Sequence, residues 1–407
     1  MSVYLISLFR GRLRFLFMIH PVFVFLSSFG FQIPFTEIGV GYTYLNTYKQ
    51  FVDPTSLSWD IENLFDQIFR QDEGYFGFSK VYVGTLPILW FPKFLFRAPA
   101  DITVYFSLSI FTLFCTAIAV NVSLFHRVIR KDVLLVIALY LTVSPTFFDI
   151  NSTLHRYTLL CLGLFLFLIA YIGLTRKFAR HRPISLILTL SFAIILIGIS
   201  KPPIFLSILL FMILDGWVRD KLPILSSFLL KLGSTRFVMY PIIFLLGSAF
   251  FSAVAPEEYT LGFSQRGGQY TAMANVPGLG LVVRVVYAML SPFPWTNFRQ
   301  MQLYGFNSIF LFVHMLSSFL ASWMVITLVL RGNLILRGRD DIRTSAIFGV
   351  AVISSLAFSA IGFHVYLAPA LPFLAPLLLD KVNRISVIYP IGFLIFFEVI
   401  ARAAQIL

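Results

Sequence analysis

The chain has 407 residues, of which 58% are hydrophobic and 12% are charged, whereas a soluble globular protein carries about 25% charged residues. This balance excludes a soluble enzyme or binding domain and predicts an all-α polytopic membrane protein that forms a single domain over residues 1–407. The net charge of +13 would suit a nucleic-acid-binding protein. However, most of the cations fall in short segments between apolar runs, a pattern that controls membrane topology, so nucleic acid is not an expected partner.

Apolar runs recur along the chain at lengths that suit membrane-spanning helices, which need about 20 residues. The first, residues 15–31, follows a cluster of arginines and lacks a small-residue cleavage site, so we expect a retained span with a cytoplasmic N-terminus. Further expected spans cover residues 102–125, 133–147, 157–175, 184–199, 204–217, 237–254, 307–330, 346–361, 365–379 and 386–401. The sequence therefore predicts about eleven transmembrane helices, in a range of about 10–13, and the proline-rich run at 365–379 could instead form half-spans.

The distribution of lysine and arginine supports this topology, because most of them fall in the segments assigned to the cytoplasmic side. Two larger segments, residues 32–101 and 255–302, are assigned to the outer face, and each contains amphipathic or interrupted apolar runs that suit interfacial helices. Whether the runs at 81–96 and 279–291 span the membrane or re-enter from one side is left open.

The chain is organised around the segment from Pro145 to Ile213, where two apolar runs are joined by a basic turn. If both runs cross the membrane, the polar residues that precede the first run and Lys201, which follows the second, lie on the same side of the bilayer. Those polar residues include Asp149, His155 and Arg156. Because ionisable groups at a membrane are energetically expensive, this cluster is the leading candidate for a functional site.

Five cations on the expected outer face depart from the rule that positive charge stays inside. They are Arg156, Lys201, Arg266, Arg284 and Arg299. Guanidinium groups bind phosphate through paired hydrogen bonds, so a negatively charged substrate near the membrane would explain them. The alternative is ordinary pairing with outer acids such as Asp149, or snorkelling of the long side chains towards water.

Three further groups of residues are candidates for chemistry on the outer face. His155 and Glu73 are candidate general bases, although an interfacial histidine and a solvated acidic loop are the alternative interpretations. Tyr270 and Trp295 lie in polar segments and are candidates for stacking on sugar rings. The chain has neither a His-x-x-x-His motif nor a cysteine pair suited to metal, so no metal site is expected.

Four features resemble the bacterial O-antigen and exopolysaccharide polymerases of the Wzy and EpsG type, which are membrane glycosyltransferases with a GT-C-like architecture. They are Glu73–Gly74–Tyr75 at the end of the first outer loop, Leu154–His155–Arg156 at the start of a span, the basic turn with its return span, and Ser291-Pro-Phe-Pro-Trp295. The chain departs from the family pattern at two positions: Tyr157 stands where members often have glutamine, and Lys201 stands where many have histidine.

The resemblance implies transfer of a growing glycan from a polyprenyl diphosphate to another lipid-linked repeat unit, on the outer face of the bacterial cytoplasmic membrane. Arg156 with Glu73 or His155 would be catalytic. Substrate binding would fall to Arg266, Arg284, Lys201, Asp149, Tyr75, Tyr270, Trp295 and Arg299. No cofactor is implied, and the partners would be the lipid-linked oligosaccharide, the bilayer and a chain-length regulator. The alternatives are a GT-C transferase that moves one sugar from a lipid phosphate, and a flippase or transporter, which usually shows two similar halves that this sequence lacks.

Overall fold

The regular structure of the described residues is helical throughout. The computed structural model describes residues 129–144, 147, 157–175, 183–201, 204–216, 316, 319–321, 323–324, 339–356 and 367–379. Its helices are α1 (Lys131–Val143), α2 (Tyr157–Thr175), α3 (Pro183–Ser200), α4 (Ile204–Gly216), α5 (Asp340–Leu356) and the single turn α6 (Leu371–Leu374), which continues as a 3-10 helix over Ala375–Leu379. The all-α prediction is confirmed for this part of the chain.

The chain divides into two compact units by its internal contacts. One comprises Met1–Pro202 with Met301–His314 and holds α1, α2 and α3. The other comprises Pro203–Gln300 with Met315–Leu407 and holds α4, α5 and α6.

Two of the described helices, α2 and α3, are long and apolar enough to cross a membrane. They have 19 and 18 residues, which at 1.5 Å per residue gives lengths of about 27–29 Å, close to the thickness of a hydrocarbon core. The expected spans at 157–175 and 184–199 are therefore confirmed as helices of spanning length, with α3 one residue longer at each end than expected.

These two helices differ in what surrounds them. Nearly all of α2 is buried, whereas α3 buries one stripe of its surface and exposes the rest. Most exposed side chains of α3 are apolar, with Ile184, Leu188 and Ile195 respectively 73%, 65% and 57% exposed, and Ser191 is the polar exception. A continuous exposed apolar face is unfavourable in water and typical of a helix in contact with lipid.

Helix α1 ends at Val143, although the apolar run predicted a span to residue 147. The reason lies in the backbone of Ser144, which precedes Pro145 and adopts an extended conformation with φ −67° and ψ 144°. A proline ring disfavours helical geometry in the residue before it, so the helix stops there. The Ser144 N–H still donates to the Tyr140 carbonyl over 3.3 Å, and the Phe147 N–H donates to the Ser144 carbonyl over 3.1 Å, which closes a turn.

Helix α5 begins at Asp340, earlier than the expected start of this span at residue 346. Asp340 and Asp341 occupy its first turn, where negative charge interacts favourably with the helix dipole. The Asp341 carboxylate also accepts a hydrogen bond from the Ile342 N–H over 3.0 Å. The helix therefore begins before the apolar run and includes Arg343, which pairs with Asp340.

The run at 365–379 is not a continuous helix where the structure describes it. A turn at residues 368–370 leads into α6 and then the 3-10 helix, and the segment contains three prolines. Because proline has no N–H to donate, each one interrupts the helical hydrogen-bond ladder. This broken geometry is compatible with the half-span alternative, and whether the segment crosses the membrane stays a prediction.

Several expected elements lie outside the described residues and stay predictions. These are the spans at 15–31, 102–125, 237–254 and 386–401, together with both outer loops, 32–101 and 255–302. Of the span expected at 307–330, only residues 316, 319–321 and 323–324 are described, and they are helical.

Candidate functional site

Lys201 is the one predicted site residue that falls in the described part of the chain. The others lie outside it: Arg156, Glu73, His155, Arg266, Arg284, Asp149, Tyr75, Tyr270, Trp295 and Arg299. The structure therefore gives the surroundings of Lys201, and the roles of the remaining residues stay predictions.

The position of Lys201 is set by the way α2 and α3 pack against each other. A Cβ atom on Gly163 of α2 would lie 2.9 Å from Ile197 Cγ1, 3.1 Å from Leu196 Cβ and 3.2 Å from the Ala193 carbonyl oxygen of α3. Only a residue without a side chain allows so close an approach, which is the usual way in which membrane helices pack tightly. Residues further towards the start of α2 meet residues further towards the end of α3, so the two helices are antiparallel.

The buried residues of α3 form the stripe that faces this contact. They are Leu186, Ala193, Leu196, Ile197 and Ser200, and their spacing of three, four and seven residues places them on one side of a helix. Ser200 is fully buried, and its Oγ makes no hydrogen bond with the described residues. We refer to this stripe together with Gly163 as the α2–α3 seam.

Lys201 lies at the end of the α2–α3 seam, directly after the last residue of α3. Its backbone N–H donates to the Ile197 carbonyl over 2.8 Å, which continues the helical turn. Pro202 and Pro203 follow in the sequence. A cation at a helix C-terminus is favoured by the helix dipole, so the position itself stabilises a charged lysine.

The ammonium group of Lys201 contacts the first residue of α2. Lys201 Nζ donates a hydrogen bond to Tyr157 Oη over 3.2 Å, and the same nitrogen lies 5.3 Å from the centre of the Tyr157 ring. That distance is within the range of about 6 Å for a cation–π interaction. Tyr157 is fully buried, whereas Lys201 is partly exposed. Since tyrosine is a neutral partner, this contact orients the ammonium group without cancelling its charge.

The contact joins two residues that the sequence treated separately. Lys201 was a predicted substrate-binding residue, whereas Tyr157 was noted only as a departure from the family pattern. Both contacting residues occupy the positions at which the chain departs from that pattern. The hairpin pattern places the start of one run near the end of the other, but the spacing alone does not show that Tyr157 is the residue that contacts Lys201.

A second group of polar side chains lies in the other unit, between α4 and α5. Thr344 Oγ1 donates to Asp215 Oδ1 over 3.2 Å, and Asp215 is only 4% exposed. One turn earlier on α5, Asp341 is 8% exposed, and its Oδ2 makes no hydrogen bond with the described residues. Sequence reasoning did not single out any of these residues. Among the described residues there is no group of three or more histidine, cysteine or acidic side chains that could hold a metal ion.

A buried hydroxyl also fixes the broken segment that follows α5. Ser345 Oγ donates to the Phe373 carbonyl over 2.8 Å, and the ring of Phe348 packs edge to face against Phe373, with centres 4.7 Å apart. Because a serine hydroxyl supplies a donor where prolines remove backbone donors, this bond stabilises the interrupted helix. We interpret the polar groups of this unit as structural.

The comparisons with known proteins give no further guide. No protein-family model, curated protein or solved structure matches this chain. The described part of the chain is all-helical and contains two helices of membrane-spanning length. Any narrower family assignment rests on the sequence motifs.

Proposed function

We propose that the protein is a polysaccharide polymerase, a glycosyltransferase of a bacterial cytoplasmic membrane. It would transfer a glycan from one polyprenyl diphosphate to another lipid-linked repeat unit on the outer face. In this proposal the chain has about eleven spans and a cytoplasmic N-terminus. The observation that carries the proposal is the contact between Lys201 and Tyr157, which holds a cation at one end of the α2–α3 hairpin.

The location of that cation suits a lipid-linked substrate. Lys201 follows the helix whose apolar face is exposed, so a polyprenyl tail lying along α3 would bring its diphosphate to the level of the ammonium group. Arg156 immediately precedes Tyr157 in the sequence. In this proposal Arg156 and Lys201 bind the same diphosphate in a partly dry setting, where the attraction between opposite charges is stronger than in water.

The proposed chemistry assigns one task to each group. A hydroxyl oxygen of the acceptor sugar forms a bond to the anomeric carbon of the donor glycan, and the bond between that carbon and the diphosphate oxygen breaks. Glu73 or His155 takes the proton from the hydroxyl. The lipid diphosphate leaves with the bonding electron pair, and Arg156 and Lys201 stabilise the negative charge that develops on it.

Reconstitution of the purified protein with lipid-linked repeat units tests the proposal. Wild-type protein should produce ladders of lengthened glycans. The Arg156→Ala variant should lower the rate by about 100-fold, the usual effect of removing a group that stabilises developing charge. Lys201→Met should also lower the rate, whereas Lys131→Met should not, because Lys131 is an exposed lysine on α1. Absence of ladders from the wild-type protein, or normal ladders from Arg156→Ala, would contradict the proposal.

One observation favours a second candidate, a flippase or transporter of the same lipid-linked glycan. The interrupted helix at 367–379 is the kind of element that lines binding sites in transporters. In proteoliposomes, a flippase would move labelled lipid-linked repeats across the bilayer without lengthening them, whereas a polymerase would lengthen them without moving them. A transferase of single sugars would add one residue from a lipid phosphate donor and then stop.

A further inference from the structure

We infer that Tyr157 is a positioning residue that fixes the ammonium group of Lys201 for binding a diphosphate. This inference rests on the proposed function for the identity of the ligand. It assigns to Tyr157 no contact with the substrate, because the tyrosine is fully buried while Lys201 is partly exposed. The two residues are separated by 44 positions in the sequence, so it is the antiparallel packing of the hairpin that brings them together.

A lysine side chain on its own does not hold its charge at one fixed position. Its flexible side chain has four carbons, and holding it in one conformation has a cost in rotamer entropy. Here part of that cost is met before any ligand binds, since Tyr157 Oη accepts a hydrogen bond from Lys201 Nζ and the tyrosine ring lies within cation–π distance of it.

The Tyr157 ring is held rigidly because it lies beside the α2–α3 seam. Tyr157 begins α2, in which almost every residue is buried, and Gly163 holds α3 close to the same helix. A buried aromatic ring with two rotatable bonds has little freedom to move. The ammonium group of Lys201 is therefore held at a defined distance from α2, and binding of an anion would not require the lysine to be ordered first.

Measurement of polyprenyl diphosphate binding in lipid nanodiscs tests this inference, with inorganic pyrophosphate as a second probe. Tyr157→Phe keeps the ring and removes the hydroxyl, so it should raise Kd by roughly 5- to 10-fold, the effect of losing one typical intramolecular hydrogen bond. Lys201→Met should raise Kd at least as much. In the Lys201→Met background, Tyr157→Phe should have no further effect, because there is then no ammonium group to position.

Two variants serve as matched controls. Tyr171→Phe removes the hydroxyl of a tyrosine near the other end of the same helix, where its ring stacks on Phe167. Thr189→Val removes a partly buried hydroxyl of α3 that lies outside the seam and donates to the Ser185 carbonyl of the same helix. Neither should change Kd. The unfolding temperature of each variant shows whether a loss of binding comes from a loss of fold.

The outcomes separate this inference from the proposed function. The positioning role would be overturned if Tyr157→Phe left Kd unchanged, or if it raised Kd equally with Lys201 present and in the Lys201→Met background. The polymerase assignment would still stand in that case if the wild-type protein produced glycan ladders. If Tyr157→Phe weakens binding of either probe only while Lys201 is present, and the wild-type protein produces no glycan ladders, the positioning role is supported and the polymerase assignment is wrong. A response with pyrophosphate alone would identify the ligand as a free diphosphate. Failure of the wild-type protein to bind either probe would overturn the inference.

Discussion

Replacing Gly163 by alanine should loosen the α2–α3 seam and weaken the site at its end. The added methyl carbon would lie 2.9 Å from Ile197 Cγ1 and 3.1 Å from Leu196 Cβ. Carbon atoms prefer separations of about 3.5 Å or more, so the helices must separate by about 0.5 Å. Overpacking of this kind costs about 1–3 kcal/mol, and the better helix propensity of alanine returns at most about 1 kcal/mol. We expect a net loss of about 1–2 kcal/mol.

The same displacement has a consequence for Lys201. Its hydrogen bond to Tyr157 spans 3.2 Å, and a separation of about 0.5 Å would lengthen it to about 3.7 Å, beyond hydrogen-bond range. Gly163→Ala should therefore raise the Kd for polyprenyl diphosphate, although Gly163 is not one of the two residues in the Tyr157–Lys201 contact. Unfolding of the detergent-solubilised protein measures the stability, and binding in nanodiscs measures the affinity.

The control for Gly163→Ala is Gly216→Ala. A Cβ atom on Gly216, the last residue of α4, would have no neighbour within 4 Å, so this substitution adds the same methyl group in open space. It should leave stability unchanged or slightly higher. A Gly163→Ala variant as stable as the Gly216→Ala variant would show that the close approach of α2 and α3 does not determine the packing of the hairpin.

Three further predictions concern the second unit and the exposed face of α3. Thr344→Val removes the hydroxyl that donates to Asp215 and should cost about 1–3 kcal/mol of stability, because a buried carboxylate loses a donor. Phe348→Ala removes a fully buried ring that packs edge to face against two others and should cost about 3–5 kcal/mol; both losses are measured by unfolding. A spin label at Leu188→Cys should be relaxed by oxygen dissolved in lipid and not by a water-soluble nickel chelate, because Leu188 lies on the exposed apolar face.

Each of these predictions has a control within the described residues. Thr175→Val removes an exposed hydroxyl that bonds within its own helix and should cost less than about 0.5 kcal/mol. Phe192→Ala removes a half-exposed ring of α3 and should cost far less than the buried ring. A label at Ala193→Cys, in the seam, should be protected from both reagents. Equal losses for a variant and its control, or relaxation of the Leu188 label by nickel, would contradict the corresponding argument.

The sequence predicted the helices of the hairpin well because one physical signal determines them. A long run of apolar residues can bury its backbone polar groups in lipid only as a helix, so the run and the helix coincide. For this reason α2 covers the expected residues, 157–175, and α3 differs from its run by one residue at each end. The predicted helix boundaries were wrong where an effect other than hydrophobicity determined them. Pro145 ended α1 early, and the acidic first turn of α5 extended that helix beyond its apolar run.

The site was less accessible to sequence reasoning because its geometry depends on packing. Lys201 could be selected from its unusual position after a span, but its partner could not, since nothing in the spacing shows which residue of α2 faces the end of α3. That register depends on the close approach at Gly163. The pair of Asp215 and Thr344 was missed for the same reason, because a carboxylate near the end of an apolar run gives no indication of the helix that will supply its donor.

The α2–α3 seam therefore links the stability of the hairpin to its proposed chemistry. A methyl group at Gly163 and the loss of a hydroxyl at Tyr157 act on different atoms, but both change the place at which the Lys201 ammonium group is held. If the seam positions that group, the two substitutions should weaken diphosphate binding through the same lysine. Neither should then weaken binding further in the Lys201→Met background. If the seam served stability alone, Gly163→Ala would still lower the unfolding temperature, but its effect on binding would persist without the lysine.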